Sequence, residues 1–138
     1  MAKRMKKRKH GLGAKAHRMS SADLLTRQYV EMALWSSTDD EGIPLEENYD
    51  ISHIAVEALK QMDKDVHAFA EENDGLITKA GLEDDDVGHN FWLTRNRHGA
   101  GFWDLDIPRA ISKKLTDAAH AYGEQSLYVG DDGFLYIN

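Results

Sequence analysis

The sequence predicts an α+β fold, a small antiparallel sheet of two β-hairpins packed with about three helices. Three observations lead there. Apolar residues recur at helical spacing in three separate stretches, two later stretches are rich in aromatic residues and turn-forming glycines, and no apolar run approaches the ~18 residues of a membrane-spanning helix. A chain of 138 residues fits one domain that buries roughly two thirds of the surface its unfolded form would expose. Neither a metal nor a disulfide is then required for folding.

The first helix is expected to start at Ser20 or Ser21 as N-cap, with Asp23 in the first turn, and to run to about Trp35. Its inward stripe is Leu25, Tyr29, Met32 and Ser36, widened by Leu24 and Trp35, and Trp35 is expected to pack under the aromatic hairpins. Residues 36–44 are polar and contain Gly42 and Pro44, which makes them a connection. A second helix starts after Asp50 or Ser52, places Ile54, Ala58, Leu59, Met62, Val66 and Phe69 on one face, and frays near residues 72–75. A short helical turn over 76–80 ends at Gly81, and Glu83-Asp84-Asp85-Asp86 follows as an acidic linker.

From His89 the pattern becomes aromatic and alternating. Residues 91–94 and 100–103 are expected to pair as a hairpin around a turn at 96–99, with Gly99 and Gly101 permitting positive φ or a bulge. Pro108 opens a third helix whose apolar face is Ile111, Leu115, Ala118, Ala119 and Tyr122, closed by Gly123. The second hairpin runs from Leu127-Tyr128-Val129 through Gly130-Asp131-Asp132-Gly133 into Phe134-Leu135-Tyr136-Ile137.

Charge divides the chain. Lys3, Arg4, Lys6, Lys7, Arg8, Lys9, Lys15 and Arg18 put +8 into the first 18 residues, which hold no acid. That leaves nine of the 17 Lys and Arg against all 24 Asp and Glu, so the remainder carries −15 with histidines neutral. Residues 1–19 are therefore expected to be a disordered basic arm and residues 20–138 a single acidic domain. The absence of cysteine excludes disulfide frameworks, thiolate zinc sites and cysteine nucleophiles. No secretory or membrane segment is found, so the expected location is the cytoplasm.

The residues His89-Asn90-Phe91-Trp92-Leu93-Thr94-Arg95-Asn96 through His98-Gly99-Ala100-Gly101-Phe102-Trp103-Asp104 form a specific pattern. It continues in Leu115-Thr116, Ala118-Ala119, Ala121-Tyr122-Gly123 and Leu127-Tyr128-Val129-Gly130-Asp131-Asp132-Gly133, and 33–40 also fits. Together these resemble a family of small uncharacterised proteins of tailed phages and prophages, over most of residues 24–136. The resemblance implies a phage origin, and with it the cytoplasm of a host cell; it implies no activity. The family's usual form lacks a long basic arm and has glycine where Arg97 stands.

Eight cations on an arm can neutralise phosphates and release counterions, with a duplex salt slope of up to roughly −7. No interleaved aromatics, helix-turn-helix or zinc motif accompanies them, so binding without sequence reading is expected. Arg95, Arg97 and His98 are secondary nucleic-acid candidates, because an open face of the first hairpin would offer stacking platforms beside them. Against this stand a solvated tail, a tail folded onto its own acidic body, and aromatic residues that simply fill a core. A different class of function is an inhibitor or DNA mimic whose acidic surface blocks a host enzyme, with acids that otherwise serve solubility. A third is a small hydrolase centred on His98, with His89 and Asp104 beside it as a general base or metal set, although no HExxH, phosphate loop or nucleophile elbow is present. The leading expectation is a non-catalytic, phage-derived protein that holds DNA or RNA electrostatically, with a host protein as the other partner class and no membrane, cofactor or metal.

Overall fold

The structure, a computed structural model, describes residues 23–138. The expected basic arm and the Ser20/Ser21 cap lie outside the described residues. Among these, five helices are followed by one two-stranded sheet: α1 (Leu24–Ser36), α2 (Val56–Glu72), α3 (Asp74–Ala80), α4 (Asp84–Arg95), α5 (Arg109–His120), β1 (Leu127–Val129) and β2 (Leu135–Ile137). Short 3-10 turns occupy Leu45–Glu47, Ile51–His53 and Phe102–Asp104. The α+β class holds, in a more helical form than expected.

The first hairpin does not form. Residues 91–94 belong to α4, 100 and 101 fall in a bend, and 102 and 103 are the first residues of the 3-10 turn. An apolar run such as Phe91-Trp92-Leu93 fits a buried strand or a buried helix equally, and here the surroundings decide. α4 is the central helix, with Val87, Gly88 and every residue from Asn90 to Arg95 buried. Its approach to α1 is close enough that a Cβ on Gly88 would lie 2.4 Å from the Leu25 carbonyl oxygen. The run Glu83–Asp86, expected as a linker, caps and begins this helix: the Glu83 N–H donates to Asp86 Oδ2 at 3.0 Å, and the acids oppose the positive end of the helix dipole. Neither Gly99 nor Gly101 lies in the left-handed region that favours glycine; Gly101 is extended, at φ 163. Gly101 instead leaves room for Thr94, whose Oγ1 would meet a Cβ at 2.4 Å and accepts the Phe102 N–H at 3.0 Å.

The second hairpin forms as expected. Leu127 faces Ile137, Tyr128 faces Tyr136 and Val129 faces Leu135, with Gly133 at φ 86 in the turn. Leu127 and Leu135 point into the core, and Ala55 N–H donates to the Leu135 carbonyl at 2.9 Å.

In α2 the expected face is buried throughout, from Ile54 just before the helix to Phe69. In α1 the stripe is rotated: Leu25, Thr26, Tyr29, Val30, Ala33 and Leu34 are buried, while Leu24 and Trp35 are exposed, Trp35 by 56%. Trp35 therefore does not pack under any hairpin. Asp23 is the N-cap of α1 instead of a first-turn residue, accepting from the Thr26 N–H at 3.1 Å.

The core is built around an aromatic stack. Phe91 lies between Phe69, at a ring-centroid distance of 4.2 Å, and Tyr29 at 5.2 Å; Phe102 extends the stack beyond Phe69 at 5.6 Å. Such ring pairs contribute about 0.5–1.5 kcal/mol each beyond the area they bury. Trp92 is buried beside Tyr29, and its indole N–H donates to Ser36 Oγ at 2.9 Å.

Candidate metal-ligating cluster

The start of α1 and the C-terminal half of α2 bring together Asp23, Thr26, Asp63 and His67. Asp63 and His67 stand one turn apart on the same face of α2, and the capping role of Asp23 fixes the third group. His67 Nε2 contacts Asp23 Oδ2 and lies 3.6 Å from Asp63 Oδ1. Thr26 Oγ1 is 2.5 Å from Asp63 Oδ1 and 3.0 Å from Asp23 Oδ2. One ligand atom from each of Asp23, Asp63 and His67 falls within 4.8 Å of the others, and this is the one such group of three among the described residues.

Burial works against a charge on either partner, but the pairing prevails. His67 is held above the usual imidazole range by its hydrogen bond to Asp23 and by the charges of Asp23, Asp63 and Glu71. Asp23 is held below the usual carboxylate range by the His67 hydrogen bond and the Thr26 N–H and hydroxyl. Asp23 and His67, but neither Asp63 nor Thr26, line a cleft of about 540 Å³ together with Leu24, Leu25, Ala70, Glu71, Asp74 and Asp84.

The residues singled out by sequence are scattered. The eight arm cations lie outside the described residues. Arg95 is buried at 3% exposure, and its guanidinium makes four hydrogen bonds: Nε donates to the Gly123 carbonyl at 2.8 Å, Nη2 to the Tyr122 carbonyl at 3.0 Å, and Nη1 to Tyr29 Oη and Asp65 Oδ2 at 3.0 and 3.1 Å. It also lies over the Phe91 and Tyr122 rings. Arg95 is thus an internal tie between α1, α2, α4 and the segment after α5, out of reach of a phosphate. Arg97 and His98 are exposed on the turn after α4. His89 is half-buried within α4, and Asp104 accepts the Gly101 N–H at 3.0 Å. His89, His98 and Asp104 do not make a ligating group.

The Asp23–Asp63–His67 cluster was not found from sequence. Asp63 and His67 at i and i+4 were its visible trace, but such spacing is common on solvated helix faces, and Asp23 joins them only through the packing of α1 on α2. Comparison with protein-family models, curated proteins and solved structures returned no match. Among the described residues no helix is long and apolar enough to cross a membrane.

Proposed function

We propose that this protein is a phage-derived, non-catalytic accessory protein that holds DNA or RNA without sequence reading, through Lys3, Arg4, Lys6, Lys7, Arg8, Lys9, Lys15 and Arg18, in the cytoplasm of a host cell. The observation that carries this reading is the segregation of charge, +8 in the first 18 residues against −15 in the rest. A polyanion is attracted by one and repelled by the other, so contact is confined to the arm and a small number of neighbouring cations. Arg97 and His98 remain candidates for such secondary contacts because both are exposed; Arg95 leaves the set because it is buried. The phage origin rests on the motif resemblance.

The test is fluorescence anisotropy of labelled single- and double-stranded DNA and RNA, titrated across salt. The full chain is compared with a full-length variant in which the eight arm cations are glutamine. Arm-dependent binding with a log–log salt slope approaching roughly −7 on duplex DNA is expected. No binding by either form at low salt overturns the proposal.

The reading as an acidic inhibitor or DNA mimic draws on one feature of the fold: Asp84 and Asp85 are exposed on the first turn of a helix otherwise anchored in the core. Retention of a host enzyme by the arm-neutral variant, lost on replacing Asp84 and Asp85 by asparagine, would favour it. For a hydrolase centred on His98, the test is unchanged hydrolysis after His98→Ala, which would remove that reading.

A further inference from the structure

We infer that Asp23, Asp63 and His67 bind a divalent first-row transition metal, with Zn²⁺ as the representative ion. The inference stands apart from the arm and from nucleic-acid binding.

Three protein ligands with an open fourth side are the arrangement that zinc takes where water or another ligand completes its shell. Here the open side is the cleft onto which Asp23 and His67 face. A tetrahedral ion with bonds of about 2.0–2.1 Å spaces its ligand atoms roughly 3.3 Å apart. His67 Nε2 and Asp63 Oδ1, at 3.6 Å, already stand near that spacing. The His67–Asp23 contact must open to admit an ion, a small swing for an imidazole that is 45% exposed.

Thr26, buried at the start of α1, stands behind the cluster, with its Oγ1 within hydrogen-bonding distance of both Asp23 Oδ2 and Asp63 Oδ1. It ties the two carboxylates from different helices to one point, and an ion held by both of them and by His67 Nε2 would have this hydroxyl as the outer partner that orients its ligands.

Ligand type selects the ion. Imidazole suits zinc and its neighbours, whereas magnesium and calcium take oxygen shells. The two carboxylates are held before binding, Asp23 by its capping bond from the Thr26 N–H and Asp63 by its contact with the Thr26 hydroxyl, so that His67 alone has to move.

The experiment uses the full chain, stripped with a chelator, titrated with Zn²⁺ by calorimetry and with Co²⁺ by visible d–d absorption. One ion per chain is expected, with the intense spectrum of tetrahedral cobalt. His67→Ala and Asp63→Asn should each weaken binding at least roughly tenfold. Asp23→Asn, which retains a good N-cap and so preserves α1, should do the same. Replacement of the two arm histidines, His10 and His17, should leave affinity unchanged. Absence of heat and spectrum at millimolar metal overturns the inference. So does equal affinity in His67→Ala, or equal affinity for Mg²⁺, because either means diffuse attraction to the acidic body.

Discussion

Arg97 adopts φ 57, the one left-handed backbone among the described residues other than glycine. That conformation costs an L-residue roughly 1–2 kcal/mol, offset in glycine by its greater chain entropy when unfolded. The side chain recovers little, since it is 59% exposed and reaches Glu124 only at 4.0 Å. Arg97→Gly should therefore stabilise the protein by up to about 1 kcal/mol, seen as a higher urea midpoint at unchanged slope. Arg95 is the opposite case. Arg95→Ala leaves Asp65 without its cation and the Tyr29 hydroxyl and two carbonyls without a donor, and should cost about 3–5 kcal/mol in denaturant unfolding. Arg95→Lys should recover only part of this, because an ammonium cannot reproduce the planar fork.

Two tyrosines give the protein a defined alkaline limit. Burial raises Tyr29 well above the ordinary phenol range, against the opposing charge of Arg95; burial and the hydrogen bond to Glu72 push Tyr122 up to about 12. In the unfolded chain both ionise near pH ~10. Between those values the unfolded state has lost protons that the folded state keeps, so stability is full below pH ~10 and falls as pH rises toward and through the folded values. Denaturation at a series of pH values from about 8 to 12 should show this decline, and Tyr122→Phe should make it shallower.

At the scale of elements, α4 governs the fold. Its burial on all sides rests on Gly88, where α1 passes within a distance that no side chain tolerates. Gly88→Ala gains helix propensity in isolation, yet it must push the Leu25 backbone away and loosen the Tyr29–Phe91 stack. The expected outcome is a net loss of about 1–3 kcal/mol, measured by thermal or urea unfolding, with reduced near-UV dichroism from Trp92 and Tyr29. The misreading of 91–103 as a hairpin has its cause in the same place. Alternation and aromatic content mark a strand only when one face is wet, and α4 has no wet face over residues 90–95. Elements with one wet face were legible: the α2 stripe, the α5 stripe with buried Ile111, Leu115 and Ala119, and the terminal hairpin.

For the molecule as a whole, the excess of acid over base outside the arm is large enough to work against compactness. Raising salt from about 0.01 M to about 0.15 M shortens the screening length from roughly 30 to 8 Å. Thermal stability should rise over that interval in the arm-neutral variant. In the full chain the rise should be smaller, because the arm already supplies counter-charge; equal slopes in the two would show that arm and body do not sense each other. The same charge asymmetry underlies the proposed nucleic-acid contact, so the two measurements together separate attraction within the chain from attraction to a partner.

By itself the sequence determined the α+β class, the inward face and C-terminal end of α2, the inward face of α5, the closing hairpin and the division of charge, because each depends on neighbours within a few residues or on composition; the expected start of α2 after Asp50 or Ser52 is instead a separate 3-10 turn, and the helix begins at Val56. Only the tertiary structure decided that 84–95 is a helix, that Arg95 is an internal tie, that Trp35 is exposed, and that Asp23 meets Asp63 and His67. These depend on which surfaces are covered from all sides and on groups far apart in the chain, and no local period encodes that information.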